Sequence, residues 1–232
     1  MQVSAFITLK AAALISLCRE KKLHEARVLV VGVGGLGSPI ALYLAAAGIG
    51  TLGLVDDDVV SLSNLQRQVL YTEAEIGRPK VTCAAQRLQA LNSALTVHTH
   101  AHRLTPDNAD ALVADYDIVV DGCDNFATRY LMNDTCLRLG KPYVYGAIQE
   151  FEGQVSVFGY GSSPRSYREL YPCEAEMRSL KPVLPVAGVT PAVTGSIQAN
   201  EVLKIAAGYG EVLSGKLWTI DLRNLQTCLL SF

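Results

Sequence analysis

Val28-Leu-Val-Val-Gly-Val-Gly-Gly-Leu-Gly37 decides the fold of this chain. An apolar run turns through three glycines into residues with Ile40, Leu44 and Ala47 at helical spacing, so a strand passes into a helix over Leu36–Ala47. The pattern Gly32-x-Gly34-x-x-Gly37 has a mechanical reading. The first glycine allows the tight turn, the second lets backbone approach a phosphate, and the third lets helix and strand pack closely. The free N–H groups opening the helix then face an anion. Gly48 and Gly50 end the helix, and Thr51–Asp56 is the next strand. It finishes in Asp56-Asp-Asp58, with Asp56 placed 19 residues past Gly37, where a carboxylate accepts ribose hydroxyls.

Strand and helix alternate from there. The pattern predicts a helix from Pro79 to about Leu91, a strand Ala94–Ala101, and a helix Thr105–Val113 with Thr105 as N-cap. A buried strand Tyr116–Asp121, a helix Asn125–Leu139 stopped by Gly140, and strands Tyr143–Ile148 and Gly153–Phe158 follow. The last two are too close for a crossover helix, so the later strands run antiparallel. A mostly apolar helix Pro191–Ala207 and a final strand Lys216–Asp221 close the chain. The expected fold is α/β: a Rossmann-like open sheet, parallel in its first half and antiparallel later, with helices on both faces. Residues 1–232 read as one domain, with an N-terminal helical segment over 1–25 and an irregular crossover segment over 159–190.

Half the residues are hydrophobic and 18% are charged, enough for a sizeable core. A net charge of −2 gives no reason to expect nucleic acid or an anionic membrane as partner. No apolar run is long enough to span a bilayer. Met1–Cys18 is apolar-rich, but Lys10 interrupts it and no small-residue cleavage site follows, so it reads as a helix and not a leader. The six cysteines form no C-x-x-C pair, which argues against a disulfide scaffold and a thiolate zinc site and fits a reducing cytoplasm.

The residues after the second strand point to phosphate chemistry. Ser63-Asn-Leu-Gln-Arg67 and then Lys80 bring two cations close behind the nucleotide strand. Hydride transfer has no obvious need of them, whereas displacement at phosphorus does, because charge grows on the leaving group. Asp121-Gly-Cys-Asp-Asn125 ends the fourth strand at the ligand-binding edge of the sheet. Asp124 offers a hard oxygen for Mg²⁺; it or Asn125 also fits as a helix cap. His98, His100 and His102 alternate along one strand face and could hold a metal, although a solvated face explains them as well.

Together these segments resemble the HesA/MoeB/ThiF family, bacterial relatives of ubiquitin-activating enzymes. The motifs are Gly32-Val-Gly-Gly-Leu-Gly37, Val55-Asp-Asp-Asp58, Ser63-Asn-Leu-Gln-Arg-Gln68, Gly77-Arg-Pro-Lys80 and Asp121-Gly-Cys-Asp-Asn125. The resemblance implies an adenylyltransferase that uses ATP and Mg²⁺ to activate the C-terminal Gly-Gly carboxylate of a ubiquitin-like sulfur-carrier protein, in thiamine or molybdopterin synthesis. Thiamine is the first expectation, on chain length. It implies a homodimer. It also implies that the turn Gly32, Gly34, Gly35 and Gly37 binds ATP, with Gly35 against the phosphates. Asp56, with Asp58 nearby, binds the ribose. The loop Ser63, Asn64, Leu65, Gln66 and Arg67, and Lys80, contact phosphate. Asp124 organises Mg²⁺, with Asn125 beside it. Arg67, Lys80 and Asp124 are the catalytic candidates.

Three departures stand out. The family's zinc-binding C-x-x-C pairs are missing, with Ser166-Tyr-Arg-Glu169 where the first would fall, so no zinc site is expected. No cysteine precedes Ala187-Gly-Val189, so a covalent cysteine step is not expected. Phe6-Ile-Thr-Leu9 occupies the place of an N-terminal arginine segment, for which Lys10 or Arg19 would have to substitute. Loss of that cation would leave a homologue that binds nucleotide and partner but catalyses weakly. A dehydrogenase or an enzyme acting on a transfer-RNA base are weaker alternatives.

Overall fold

The structure, a computed structural model, describes residues 17–180 and 185–232. Strand β1 (Arg27–Val31) and helix α2 (Gly37–Ala47) form the opening unit, preceded by helix α1 (Leu17–Glu25). The rest of the expected N-terminal helix, with Lys10, lies outside the described residues. Then come β2 (Thr51–Val55), α3 (Lys80–Leu91), β3 (Thr96–His100), α4 (Pro106–Ala114), β4 (Ile118–Asp121) and α5 (Phe126–Leu139). Strands β5 (Tyr143–Gln149) and β6 (Glu152–Phe158) form a hairpin. Short helices α6 (Tyr167–Leu170) and α7 (Glu174–Ser179) lead to the long helix α8 (Val189–Ala207), and β7 (Lys216–Asp221) and β8 (Gln226–Ser231) end the chain.

All eight strands form one sheet in the order β3-β2-β1-β4-β5-β6-β7-β8. The first five are parallel and the last four antiparallel, β5 belonging to both sets. Alternation along β1 explains the layering. Val28 and Val30 pack with Ile40 and Leu44 of α2 and Val202 of α8, whereas Leu29 and Val31 face Leu112, Val113 and Met132 of α4 and α5. Helices therefore cover both faces, as expected.

Strand order reverses between β1 and β4, and that switch point opens the crevice in which such sheets bind ligands. It is built backbone against backbone. Gly32 has φ +89°, and a β-carbon there would lie 2.6 Å from the Gly122 carbonyl oxygen. A β-carbon on Gly37 would strike the Gly32 carbonyl, so the third glycine lets α2 start this close to β1.

Local capping agrees with the sequence reading. Thr105 closes a capping box with Asn108, and Asn125 Oδ1 accepts from the Thr128 N–H at 2.9 Å. Two expectations need correction. The segment 159–190 is not irregular throughout: α6 and α7 lie inside it, too short to show a period. Strand Lys216–Asp221 is not the last. Strand β8 was missed because all its residues are exposed, so it has no buried–polar alternation. Its turn puts Leu225 at φ +57°, where a glycine would have marked the hairpin. Among the described residues no helix is long and apolar enough to cross a membrane.

Candidate functional site

The glycine turn is walled by the loop that follows β2. One helical turn over 62–64 carries the Arg67 and Gln68 N–H groups back to the Asn64 carbonyl. This brings Arg67 Cδ to 3.7 Å from the point a β-carbon on Gly35 would occupy, and Gln68 Nε2 to 3.3 Å from that of Gly34. Gln68 is buried, and its Oε1 has no hydrogen-bond partner among the described residues. Leu65 packs on the core behind the loop. Gln66 turns its carbonyl to Gly188 just before α8, and no side chain would fit there. The Arg67 guanidinium makes a single hydrogen bond among the described residues, to the Ser63 carbonyl at 3.4 Å. It is a cation held beside the turn, with no carboxylate partner among the described residues.

Asp56 is pinned from both sides. Its Oδ2 accepts from the Val33 N–H and its Oδ1 from the Asp58 N–H, both at 2.9 Å. Each oxygen keeps a lone pair for a further donor. Lys80 behaves differently from Arg67: its side chain is buried, and Nζ donates to Asp58 Oδ2 at 2.9 Å. Asp57 holds Arg103 at 2.8 Å. Ligand oxygens of Asp56, Asp57 and Asp58 lie within 4.8 Å of one another. Asp124 is exposed beyond β4, with no bond to its carboxylate among the described residues. Arg103 is held above its ordinary range by its bond to Asp57 first, with Asp58 and Asp124 adding to it, so these acids share one field.

Below the crevice lies a node that sequence reasoning passed over. Asp121 is fully buried and accepts from Arg129 Nε at 3.1 Å, the Tyr143 hydroxyl at 3.0 Å and the Cys123 N–H at 3.0 Å. Arg129 also donates to the Cys123 carbonyl at 3.2 Å and faces the Phe126 and Tyr145 rings. Burial, the largest single influence, works against its charge, but Asp121 with Cys123, Tyr145 and Tyr143 together outweigh burial and hold Arg129 above its ordinary range. Gln198 of α8 donates to the Asp121 carbonyl at 2.7 Å. The only sequence signal was an arginine one turn into the helix after an acidic strand end.

A cavity of about 540 Å³ adjoins this node. Phe126 and Arg129 form one wall, β5–β8 the floor, and Tyr171, Met177 and Leu180 the roof. Among the cysteines, burial pushes the Cys136 thiol up to about 12 and raises those of Cys83 and Cys123. Cys173 and Cys228 are exposed.

The sequence pattern of the ThiF family matches residues 8–231. The chain belongs to the ThiF family. It is 47% identical over 214 residues to the sulfur carrier protein adenylyltransferase of Thermus thermophilus, covering 87% of this chain and 77% of that one. The probable adenylyltransferase/sulfurtransferase MoeZ of Mycobacterium tuberculosis is 47% identical over 209 residues, and the pig MOCS3 adenylyltransferase and sulfurtransferase 50% over 207. This chain spans about half the length of those two, 53% and 45%. Crystal structures of PaaA and of E. coli MccB with ATP share the fold, each with TM-score 0.82 at 24% identity. They cover 98% and 93% of this chain, and 72% and 66% of their own.

Family membership gives the crossover segment added interest. Ser166 and Glu169, the ends of the four-residue stretch found in place of a C-x-x-C pair, form a capping box. Tyr167 enters an aromatic cluster with Tyr130, Tyr145 and Phe158. Arg168 bonds Asp134 and Glu174 and stacks over Tyr130 at 4.7 Å. Arg168→Ala is expected to raise amide hydrogen exchange across 166–179 and leave β1 and β4 unchanged. Equal protection in the variant would show that the aromatic contacts hold the roof unaided. Arg19, offered as a substitute cation, stacks on Tyr209 past the far end of α8. A 19-residue helix is about 28 Å long, which removes Arg19 from the glycine turn of the same chain.

Proposed function

We propose that this chain, acting as one adenylation unit in the cytoplasm, transfers AMP from ATP to the C-terminal Gly-Gly carboxylate of a ubiquitin-like sulfur-carrier protein. The observation that supports it best is Arg67, unpaired by any carboxylate among the described residues and held against Gly35. The carboxylate of the carrier attacks the α-phosphorus. An acyl–O–P bond forms, the bond from the α-phosphorus to the bridging oxygen breaks, and pyrophosphate leaves with that electron pair. The nucleophile is already an anion, so no base is required; the difficulty is bringing two anions together.

Each group has a part in this reading. Gly32, Gly34, Gly35 and Gly37 admit the phosphates to the backbone of the turn. Asp56 takes the ribose hydroxyls. Arg67 neutralises charge growing on the leaving group. Lys80 orients Asp58 and adds its charge from behind it. Ser63 and Asn64 shape the loop that carries Arg67. Asp124, exposed and unpaired among the described residues, suits a hard cation, and the carboxylates of Asp56–Asp58 form a second cluster of oxygen donors. Asp124 would hold Mg²⁺, which when bound neutralises polyphosphate charge. Asn125 fixes Asp124 by capping α5. The cavity beside Phe126 and Arg129 suits an extended glycine-rich tail, and a homodimer remains part of the proposal.

The test is ATP–pyrophosphate exchange with the carrier and with the carrier shortened by its two glycines. Exchange with the first and none with the second is expected; equal rates would remove the proposal. Comparing thiamine and molybdopterin carriers decides the pathway. The relatives include one named a probable molybdopterin-synthase adenylyltransferase, from Porphyra purpurea. The pairing of buried Lys80 with Asp58 and the distant Arg19 favour a second reading, a nucleotide- and partner-binding homologue. ATP binding by calorimetry with no exchange for either carrier would select it.

A further inference from the structure

The loop that carries Arg67 does not hold its place alone. The start of α8 is wedged against it. A β-carbon on Gly188 would lie 2.2 Å from the Gln66 carbonyl oxygen and 2.9 Å from Gln66 Oε1. Three residues on, Pro191 Cβ stands 3.3 Å from the point a β-carbon on Gly35 would occupy, and Arg67 Cδ stands 3.7 Å from that same point. One turn later Gly195 packs as closely on the start of α2, its β-carbon position 2.7 Å from the Leu36 carbonyl oxygen. The first turns of α8 therefore touch both the glycine turn and the Arg67 loop.

The backbone of Gly188 does not require glycine. Its φ of −58° and ψ of −27° are ordinary helical values, open to alanine. What excludes a side chain is the Gln66 carbonyl, so the glycine serves the close approach. The tip of the β5–β6 hairpin anchors the wedge from the other side. Glu150 holds a left-handed φ of +51°, and its carbonyl accepts from the Ala187 N–H at 3.1 Å and from the Thr190 hydroxyl at 2.9 Å. Thr190 is fully buried, so water cannot take over that bond. A left-handed non-glycine residue kept in place by such contacts points to a functional constraint.

We propose, on the reading of Arg67 as the cation that meets the leaving pyrophosphate, that Gly188 and Thr190 are positioning residues for it. Thr190 fixes the start of α8 on Glu150, and Gly188 fixes the Gln66–Arg67 backbone. Gly188→Ala should lower kcat for carrier-dependent exchange by about 10- to 100-fold, the larger figure being the cost of a misplacement near 1 Å. The carrier's KM should not change. In the Arg67→Ala background the same substitution should alter kcat by less than about twofold, because no guanidinium remains to be misplaced. Thr190→Val should behave alike, and Thr190→Ser should restore the parent rate. Full kcat in Gly188→Ala, or equal losses in both backgrounds, overturns the proposal. If Gly188→Ala does not fold, Thr190→Val decides by the same two comparisons. Amide hydrogen exchange on the full chain needs no turnover. The Arg67 and Gln68 N–H groups, bonded to the Asn64 carbonyl at 3.1 and 2.9 Å, should exchange about tenfold faster in Gly188→Ala, with β1 unchanged. If the parent shows no pyrophosphate exchange with any carrier, the adenylation reading fails, and these amides decide alone: unchanged protection overturns the positioning role.

Discussion

Arg67→Ala is expected to lower kcat for carrier-dependent pyrophosphate exchange by about 10³-fold, at the lower end of what a single transition-state arginine contributes in phosphoryl transfer. The size follows from its setting. Arg67 lies beside Gly35, and among the described residues its guanidinium has no carboxylate partner and makes one long bond to its own loop. Its charge is therefore fully available to the leaving pyrophosphate. For the same reason its removal breaks little of the fold, and the melting temperature should not change. Arg67→Lys should recover part of the rate, keeping the charge but losing the planar fork. A variant with normal kcat and raised KM would show that Arg67 binds ATP without favouring the transition state.

Asp121→Ala is expected to cost about 3–5 kcal/mol of stability, because it leaves the Arg129 cation buried and unpaired. For a chain of this size that is a fall in melting temperature of about 10 °C. The loss is large because Asp121 serves Arg129, the Tyr143 hydroxyl and the Cys123 N–H together, without contact with water. Combining it with Arg129→Met should restore part of the stability, since a buried apolar side chain replaces an uncompensated charge. Thermal unfolding of the two variants decides it. A single variant melting within a degree or two of the parent would mean the node contributes no net stability.

The two predictions rest on residues of unequal visibility in the sequence. Arg67 was legible because its segment follows a glycine turn and an acidic strand end in order along the chain. Lys80 was legible as a cation, but not as a buried partner of Asp58 22 residues before it. Arg129 was not singled out, since an arginine in a helix is ordinarily solvated. Only the fold shows that this one lies beneath β4 and lines the cavity. The histidines carried a visible pattern, but the tyrosine whose hydroxyl lies beside two of them stands 16 and 18 residues away, in the turn before β4.

The sequence by itself determined the strand–turn–helix opening, the helix caps at Thr105 and Asn125, the change from parallel to antiparallel strands and the edge of the sheet at which the glycine turn lies. Each follows from residues within a few positions of one another, where steric freedom, hydrogen bonding and periodicity act locally. The tertiary structure alone decided which charges remain free, which are paired, where the cavity opens and that an exposed eighth strand completes the sheet. Those outcomes depend on contacts between distant residues, and burial, which gives such contacts their energy, exists only once the chain is packed.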